Sequence, residues 1–398
     1  MNNETRKETQ VLPKDVRYVG ADDLTLPLFE NQYPVQPMGV SYNSYLILDE
    51  KIAVMDSVDA RAADEWLAKL AHELDGRSPD YLVISHMEPD HSGSILRLAE
   101  KYQEMKLVGN TKTFTMLRQF FGAKAPTDDR LLEVGEGETL PLGTHTLHFM
   151  LAPMVHWPEV MVAYEETEKL LFSADAFGRF GALSRTAGAP WAPQARRYYY
   201  NIVGKYGAQV QALLKKASAL EIKTVCPLHG PLLTGEALGE ALRLYDLWSR
   251  WQSESPDDIL LAHASIHGNT ARAAELLKQK LEAKGARVTL CDLTTTEVSY
   301  AVANAFYCGK LVLACSTYDG GLFPPMEEFL SHLQAKGFRD RSVGLMENGS
   351  WAPAAARLMR AKLEEMKDLR VCGTVVSLRS ALSPASEAQI DALTTELC

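Results

Sequence analysis

The chain has 398 residues, 46% of them hydrophobic, and a formal net charge of -10. That length suits two domains with ordinary soluble cores. The acidic balance argues against nucleic acid or an anionic lipid surface as partner and fits a small-molecule substrate or a protein with a basic patch. No stretch approaches the length needed to cross a bilayer. Residues 1–8 lack the apolar run of a leader, so a cytoplasmic protein is expected. The six cysteines, Cys226, Cys291, Cys308, Cys315, Cys372 and Cys398, are scattered without a C-x-x-C pair. That usage suits a reducing compartment and predicts no rubredoxin-like or zinc-ribbon module in the chain.

In chain order, residues 42–48 and 52–57 read as adjacent strands joined by a tight turn at 49–51, and 61–74 has helical periodicity. Residues 80–85 read as a buried strand. The segment after it is dense in metal ligands: His86-Met87-Glu88-Pro89-Asp90-His91, or H-x-E-x-D-H. Ser92-Gly93-Ser94 then opens a helical stretch over 95–100. Alternate side chains of an extended loop share a side, so His86, Glu88 and Asp90 are expected to converge. Imidazoles supply borderline nitrogen ligands and carboxylates supply hard, anionic oxygen.

Three later segments are able to complete a site. His156 lies between prolines in Pro153-Met154-Val155-His156-Trp157-Pro158, expected in extended backbone. Asp175 ends the apolar run Leu171-Phe172-Ser173-Ala174. His229 follows another strand in Val225-Cys226-Pro227-Leu228-His229-Gly230. Each alone is more often structural; the four segments together point to a metal centre. His145 and His148 fall on opposite sides of an expected strand over 144–149. His72 and His332 sit among charges in helical stretches, and all four read as structural or solvated.

The character changes near residue 250. A polar stretch with a proline, 251–258, reads as a linker. Beyond it strands over 259–265, 287–293, 311–316, 342–346 and 371–378 alternate with helices over 270–284, 325–334, 353–366 and 384–393, the pattern of a doubly wound parallel sheet. Ser265-Ile266-His267-Gly268-Asn269-Thr270 follows the first of these strands and opens a helix. Its backbone N–H groups and hydroxyl and amide side chains form a phosphate cradle. The absence of lysine from the loop argues against a nucleotide-triphosphate P-loop. The loops after the next two central strands, with Ser316, Thr317, Tyr318, Asp319 and Gly320, and with Asn348, Gly349, Ser350 and Trp351, lie where such folds bind ligands.

H-x-E-x-D-H followed by His156, Asp175 and His229 resembles the metallo-β-lactamase fold. Zinc hydrolases of that fold usually carry histidine where this chain has Glu88; the flavodiiron proteins carry glutamate. Tyr42-Asn43-Ser44-Tyr45, His156-Trp157-Pro158, the segment 172–178 and Pro227-Leu228-His229-Gly230 resemble the same family, and with the second region the resemblance covers nearly the whole chain. It implies an α/β protein: a metallo-β-lactamase-like αββα sandwich over 1–250 and a flavodoxin-like domain over 251–398 that binds FMN on the loops just named. Carried over residue by residue, it implies one iron on His86, Glu88 and His156, a second on Asp90, His91 and His229, and Asp175 bridging them, though His91's position does not hold a coordinated histidine in every member. Tyr318 and Trp351 would flank the isoalloxazine ring. Ser316 stands where the family often has proline, and residues 348–351 depart from the usual loop.

The implied activity is reduction of O2 to water, of NO to N2O, or of both, in a head-to-tail homodimer or a dimer of dimers. A separate electron donor, a rubredoxin or a flavin/NADH reductase, would supply it. The competing expectations are a zinc-dependent hydrolase of the same fold with a fused flavodoxin-like domain, and a non-enzymatic electron carrier or gas sensor. Glu88 separates the first of these from the flavodiiron reading.

Overall fold

Two six-stranded sheets lie face to face in the N-terminal unit of the computed structural model, which describes residues 12–398. Residues 1–8, read above as lacking a leader, lie outside the described residues. The chain divides into two units, Met1–Asp246 and Leu247–Cys398. The first sheet of the N-terminal unit runs, side by side and in chain order, Val16–Tyr18, Tyr45–Ile47, Ala53–Met55, Tyr81–Val83, Lys106–Gly109 and Leu131–Glu133. The second runs Thr139–Pro141, Thr146–Leu151, Met161–Glu165, Leu170–Phe172, Thr224–Cys226 and Leu233–Thr234.

Short apolar strands suit this arrangement because both faces are covered. Tyr45, Ile47, Ala53, Met55 and Val83 pack between the sheets against Leu147, Phe149, Met161, Ala163 and Phe172, while Leu46, Val54 and Leu82 are buried on the other face. Helices lie outside the sheets. One of them, Ala63–Leu74, buries Trp66, Leu70 and Leu74, and its Trp66 Nε1 donates to Ser44 Oγ at 3.0 Å. The result is the αββα sandwich.

His145 proves to be a buried polar pin in the turn before Thr146–Leu151, with Nδ1 3.0 Å from Glu165 Oε1 and Nε2 2.9 Å from Asp15 Oδ2. The expected strand therefore begins one residue after it. His148 points the other way, to Glu166 at 2.8 Å. The hydrogen bond to Glu165, against the opposing effect of burial and with Asp15 in support, raises the His145 pKa to about 9. A folded-state pKa above the unfolded value stabilises fully below about 6.5 and is lost as pH rises through about 9. His145→Gln is thus expected to lower Tm most near pH 6, with the difference from the parent shrinking above pH 9. A difference in Tm independent of pH would show that His145 acts by shape rather than by charge.

The C-terminal unit holds a parallel sheet in the order Val288–Asp292, Ser255–Ala264, Cys308–Tyr318, Arg341–Asn348 and Leu369–Leu378. The strand after Ser255–Ala264 is added on one side of it and Cys308–Tyr318 on the other, so the order of addition reverses there, the place where open parallel sheets bind ligands at their carboxyl ends. Two expectations need correction. Residues 255–258 are not linker: the strand already starts at Ser255, which pairs with Cys308, and a register irregularity before Ile259 absorbs Pro256. A further crossover helix, Val298–Tyr307, was not anticipated; it buries Ala301, Val302, Ala305 and Phe306. No helix among the described residues is long and apolar enough to cross a membrane.

Candidate functional site

At the end of the strand Tyr81–Val83, Asp56 Oδ1 from the neighbouring strand's end accepts the Ser85 N–H at 2.7 Å and aims the ligand loop. The loop is not extended through Asp90 as expected. Pro89 opens a helical turn, Pro89–Ser92, because its fixed φ favours the first helical position. The expected convergence of His86, Glu88 and Asp90 is therefore split. His86 and Glu88 face one way with His156 and Asp175, while Asp90 and His91 face His229. His156 also departs from its expected extended backbone and sits in a turn where Met154 N–H donates to Trp157 O at 2.8 Å.

In the first cluster His156 Nε2 lies 3.1 Å from Glu88 Oε2 and 2.9 Å from Asp175 Oδ2. His86 Nε2 is 3.3 Å from each of the same two oxygens. In the second, His91 Nε2 and His229 Nε2 are 3.0 Å apart, at 3.3 and 3.2 Å from Asp90 Oδ2. Asp175 turns Oδ2 to the first cluster and Oδ1 to the second, where it lies 3.2 Å from His91 Nε2 and 3.6 Å from His229 Nε2.

These groups fit cations. Both oxygens of Asp90 and Oδ1 of Asp175 are buried and accept no hydrogen bond among the described residues, which is costly unless a cation is held there. Two imidazole nitrogens 3.0 Å apart need positive charge or a proton between them. The buried charges also act strongly on one another. Burial opposes it, yet His91 and His86 hold Asp175 well below the carboxylate range, and against the same opposition Asp175 and Glu159 lift His86 well above the usual imidazole range. Nitrogen and hard oxygen donors without sulfur suit iron, manganese or zinc.

Several participants have no signature in the sequence. His229 Nδ1 donates to the Ser41 carbonyl at 2.7 Å, and Asn43 Nδ2 donates to Pro227 O and Gly230 O at 2.8 and 2.7 Å, so Tyr42-Asn43-Ser44-Tyr45 acts by anchoring the His229 loop. Gly230 has φ +82, and a Cβ there would meet Arg179 Cγ at 2.7 Å. Glu159 backs His86, with Oε1 2.7 Å from Nδ1. Phe29 and Tyr198 pack on the His229 ring at 5.3 and 5.5 Å, and Trp157 packs edge-on against His86 at 5.2 Å, so aromatic rings line this side of the centre. The Tyr198 hydroxyl is buried without a partner among the described residues.

In the C-terminal unit a cavity of about 480 Å³ opens at the carboxyl ends of the strands. Of the residues expected to hold flavin, Ser265, Ile266, His267, Asn269, Thr270, Ser316 to Gly320 and Asn348 to Trp351 line it; Gly268 does not. Gly268 instead caps the helix Asn269–Ala283 at φ +84, a left-handed conformation that favours glycine. The Gly268 N–H donates to Ser265 Oγ at 3.1 Å, and Thr270 Oγ1 meets Ser316 Oγ at 2.9 Å. Helix N–H groups and hydroxyls suit a phosphate, and the exposed rings of Tyr318 and Trp351 suit a flat heterocycle. Ser380, missed in the sequence, also lines the cavity and pins both ends of the Asn348 amide at 3.0 Å.

Residues 40–230 match the model of the ODP family beta lactamase. Rubredoxin-oxygen oxidoreductase of Megalodesulfovibrio gigas is 28% identical over 358 residues, covering 87% of each chain. A nitric oxide reductase of Moorella thermoacetica is 27% identical over 361 residues, covering 88% of each. The crystal structure of the flavodiiron protein from Giardia intestinalis superposes with a TM-score of 0.89 at 26% identity, over 97% of this chain and 95% of that one.

Proposed function

Because the chain belongs to the flavodiiron protein family and is an oxidoreductase, we propose that it reduces O2 to water, NO to N2O, or both, at two irons in the N-terminal unit fed by FMN in the C-terminal one. The observation that carries the reading is Asp175, whose two oxygens face two separate sets of donors. His86, Glu88 and His156 would hold one iron, and Asp90, His91 and His229 the other, with Asp175 between them. Two ferrous ions and reduced FMN together supply four electrons, enough with four protons to turn O2 into two waters; two electrons and two protons turn two NO into N2O and water. The protein's part is to orient and exclude. Phe29, Tyr198 and Trp157 keep bulk water from the donors, and the Glu159 and Ser41 acceptors fix which imidazole nitrogen faces inward.

The flavin phosphate would rest on Ser265 to Thr270. Tyr318 at 45% and Trp351 at 88% exposure leave apolar rings on the cavity rim, which favours a second copy covering them in a head-to-tail homodimer or a dimer of dimers. A separate cytoplasmic donor, a rubredoxin or a flavin/NADH reductase, would recharge the flavin. Elemental and flavin analysis tests the cofactor reading. Protein from its native host should carry about two irons and one FMN per chain. Stoichiometric zinc with little iron would point instead to a hydrolase, and full cofactor with no turnover of either gas would point to an electron carrier or sensor.

A further inference from the structure

Building on the dinuclear reading above, we propose that Glu159 is a positioning residue that makes the two metal positions unequal, so that the ion beside His86 binds more tightly and is the harder of the two to reduce. The donors that face the ions are balanced. Each cluster has two imidazoles and one carboxylate of its own, and Asp175 gives one oxygen to each. The imbalance lies behind them. His86 Nδ1 meets the carboxylate of Glu159 at 2.7 Å. His229 Nδ1 meets only a neutral backbone carbonyl, Ser41 O, and His91 Nδ1 has no partner among the described residues.

Glu159 is held for this task. Its side chain is fully buried. Oε1 also accepts the Met87 N–H at 2.9 Å, and its own carbonyl accepts Asn110 Nδ2 at 2.6 Å, from the residue that caps the helix Thr111–Phe121. Oε2 accepts no hydrogen bond, and no lysine or arginine pairs with this carboxylate among the described residues. The charge, shared only with the neutral Met87 N–H, therefore bears chiefly on His86. A charged acceptor binds an N–H roughly twice as strongly as a neutral one, makes the opposite ring nitrogen a better donor, and is poorly screened when buried. More negative charge beside one ion favours its ferric form. On one-electron reduction by dithionite the electron goes to the ion held by Asp90, His91 and His229, which becomes ferrous while its neighbour stays ferric.

The test is titration of the metal-stripped full chain with cobaltous ion, followed by visible absorption, beside a reductive titration of the iron-loaded protein followed by the electron paramagnetic resonance of its one-electron-reduced state. Two unequal cobalt steps are expected in the parent. Glu159→Gln should weaken the tighter step by roughly 10- to 100-fold and leave the weaker step in place. It should also lower the largest mixed-valent fraction reached. Glu159→Asp, which keeps the charge, should recover part of both. Equal cobalt steps in the parent, a loss confined to the weaker step, or an unchanged mixed-valent fraction in Glu159→Gln would overturn the inference. A parent that takes up no cobalt would overturn the dinuclear reading itself, and this inference with it.

Discussion

Asp175→Asn is expected to abolish gas reduction, with a loss of at least roughly 100-fold, beyond what removal of a partner behind a ligand usually costs. The substitution keeps the shape and removes the charge and one of the two oxygens. Oδ2 lies 2.9 Å from His156 Nε2 and Oδ1 3.2 Å from His91 Nε2, so this one side chain faces both clusters. An amide would turn N–H toward one cation position. Each remaining cluster keeps two imidazoles and one carboxylate, enough for weak binding of single ions and too little charge to hold two ferric ions side by side. Flavin content should be unaffected, since the cavity proposed for it lies in the other unit. Metal analysis and O2 and NO consumption by the reduced protein check this outcome; near-normal turnover with two irons in place would refute the bridging role.

Glu88→His is the second large effect. It recreates the donor that zinc hydrolases of this fold usually carry and removes one of three ligand carboxylates. Glu88 Oε2 lies between His156 Nε2 at 3.1 Å and His86 Nε2 at 3.3 Å, which hold its carboxyl ionised against the effect of burial. A third imidazole there would leave that cluster with no carboxylate but the shared Asp175. The variant is expected to fold and keep FMN, to lose most of its iron while still taking up zinc, and to fall to background in gas reduction. The comparison to make is iron per chain and turnover after reconstitution with either metal. Full iron with parent-like rates would remove Glu88 from the donor set.

The candidate metal centre was legible because its donors are dense and chemically unusual for the ends of apolar strands. The C-terminal cavity was legible because a hydroxyl- and amide-rich loop opens a helix after a strand. What sequence could not supply was the return of distant chain. Glu159 carries no signature in the sequence, and the fold brings it to His86, 73 positions away. Ser41 acts through its carbonyl, a group that carries no residue signature. Alternation alone made Asp90 converge with His86 and Glu88, because it was carried past Pro89, which starts a helical turn; the family resemblance had already set Asp90 with His91 and His229, where it lies. Residues 255–258 looked like linker because polarity outweighed their pairing, which depends on Cys308 more than fifty positions later. The helix Val298–Tyr307 has the lowest polarity of a crossover segment, with β-branched and aromatic residues that blur helical periodicity.

One measurement bears most directly on the whole account: protein loaded with iron and FMN, reduced without oxygen and freed of reductant, is mixed with known amounts of O2 or NO while gas, flavin absorbance and products are followed. If the two irons and the flavin act together on the gas, each chain should consume about one O2 to water, or about four NO to N2O, as its flavin and irons become oxidised. Flavin that reoxidises with release of peroxide, at a rate that Asp175→Asn does not change, would contradict it.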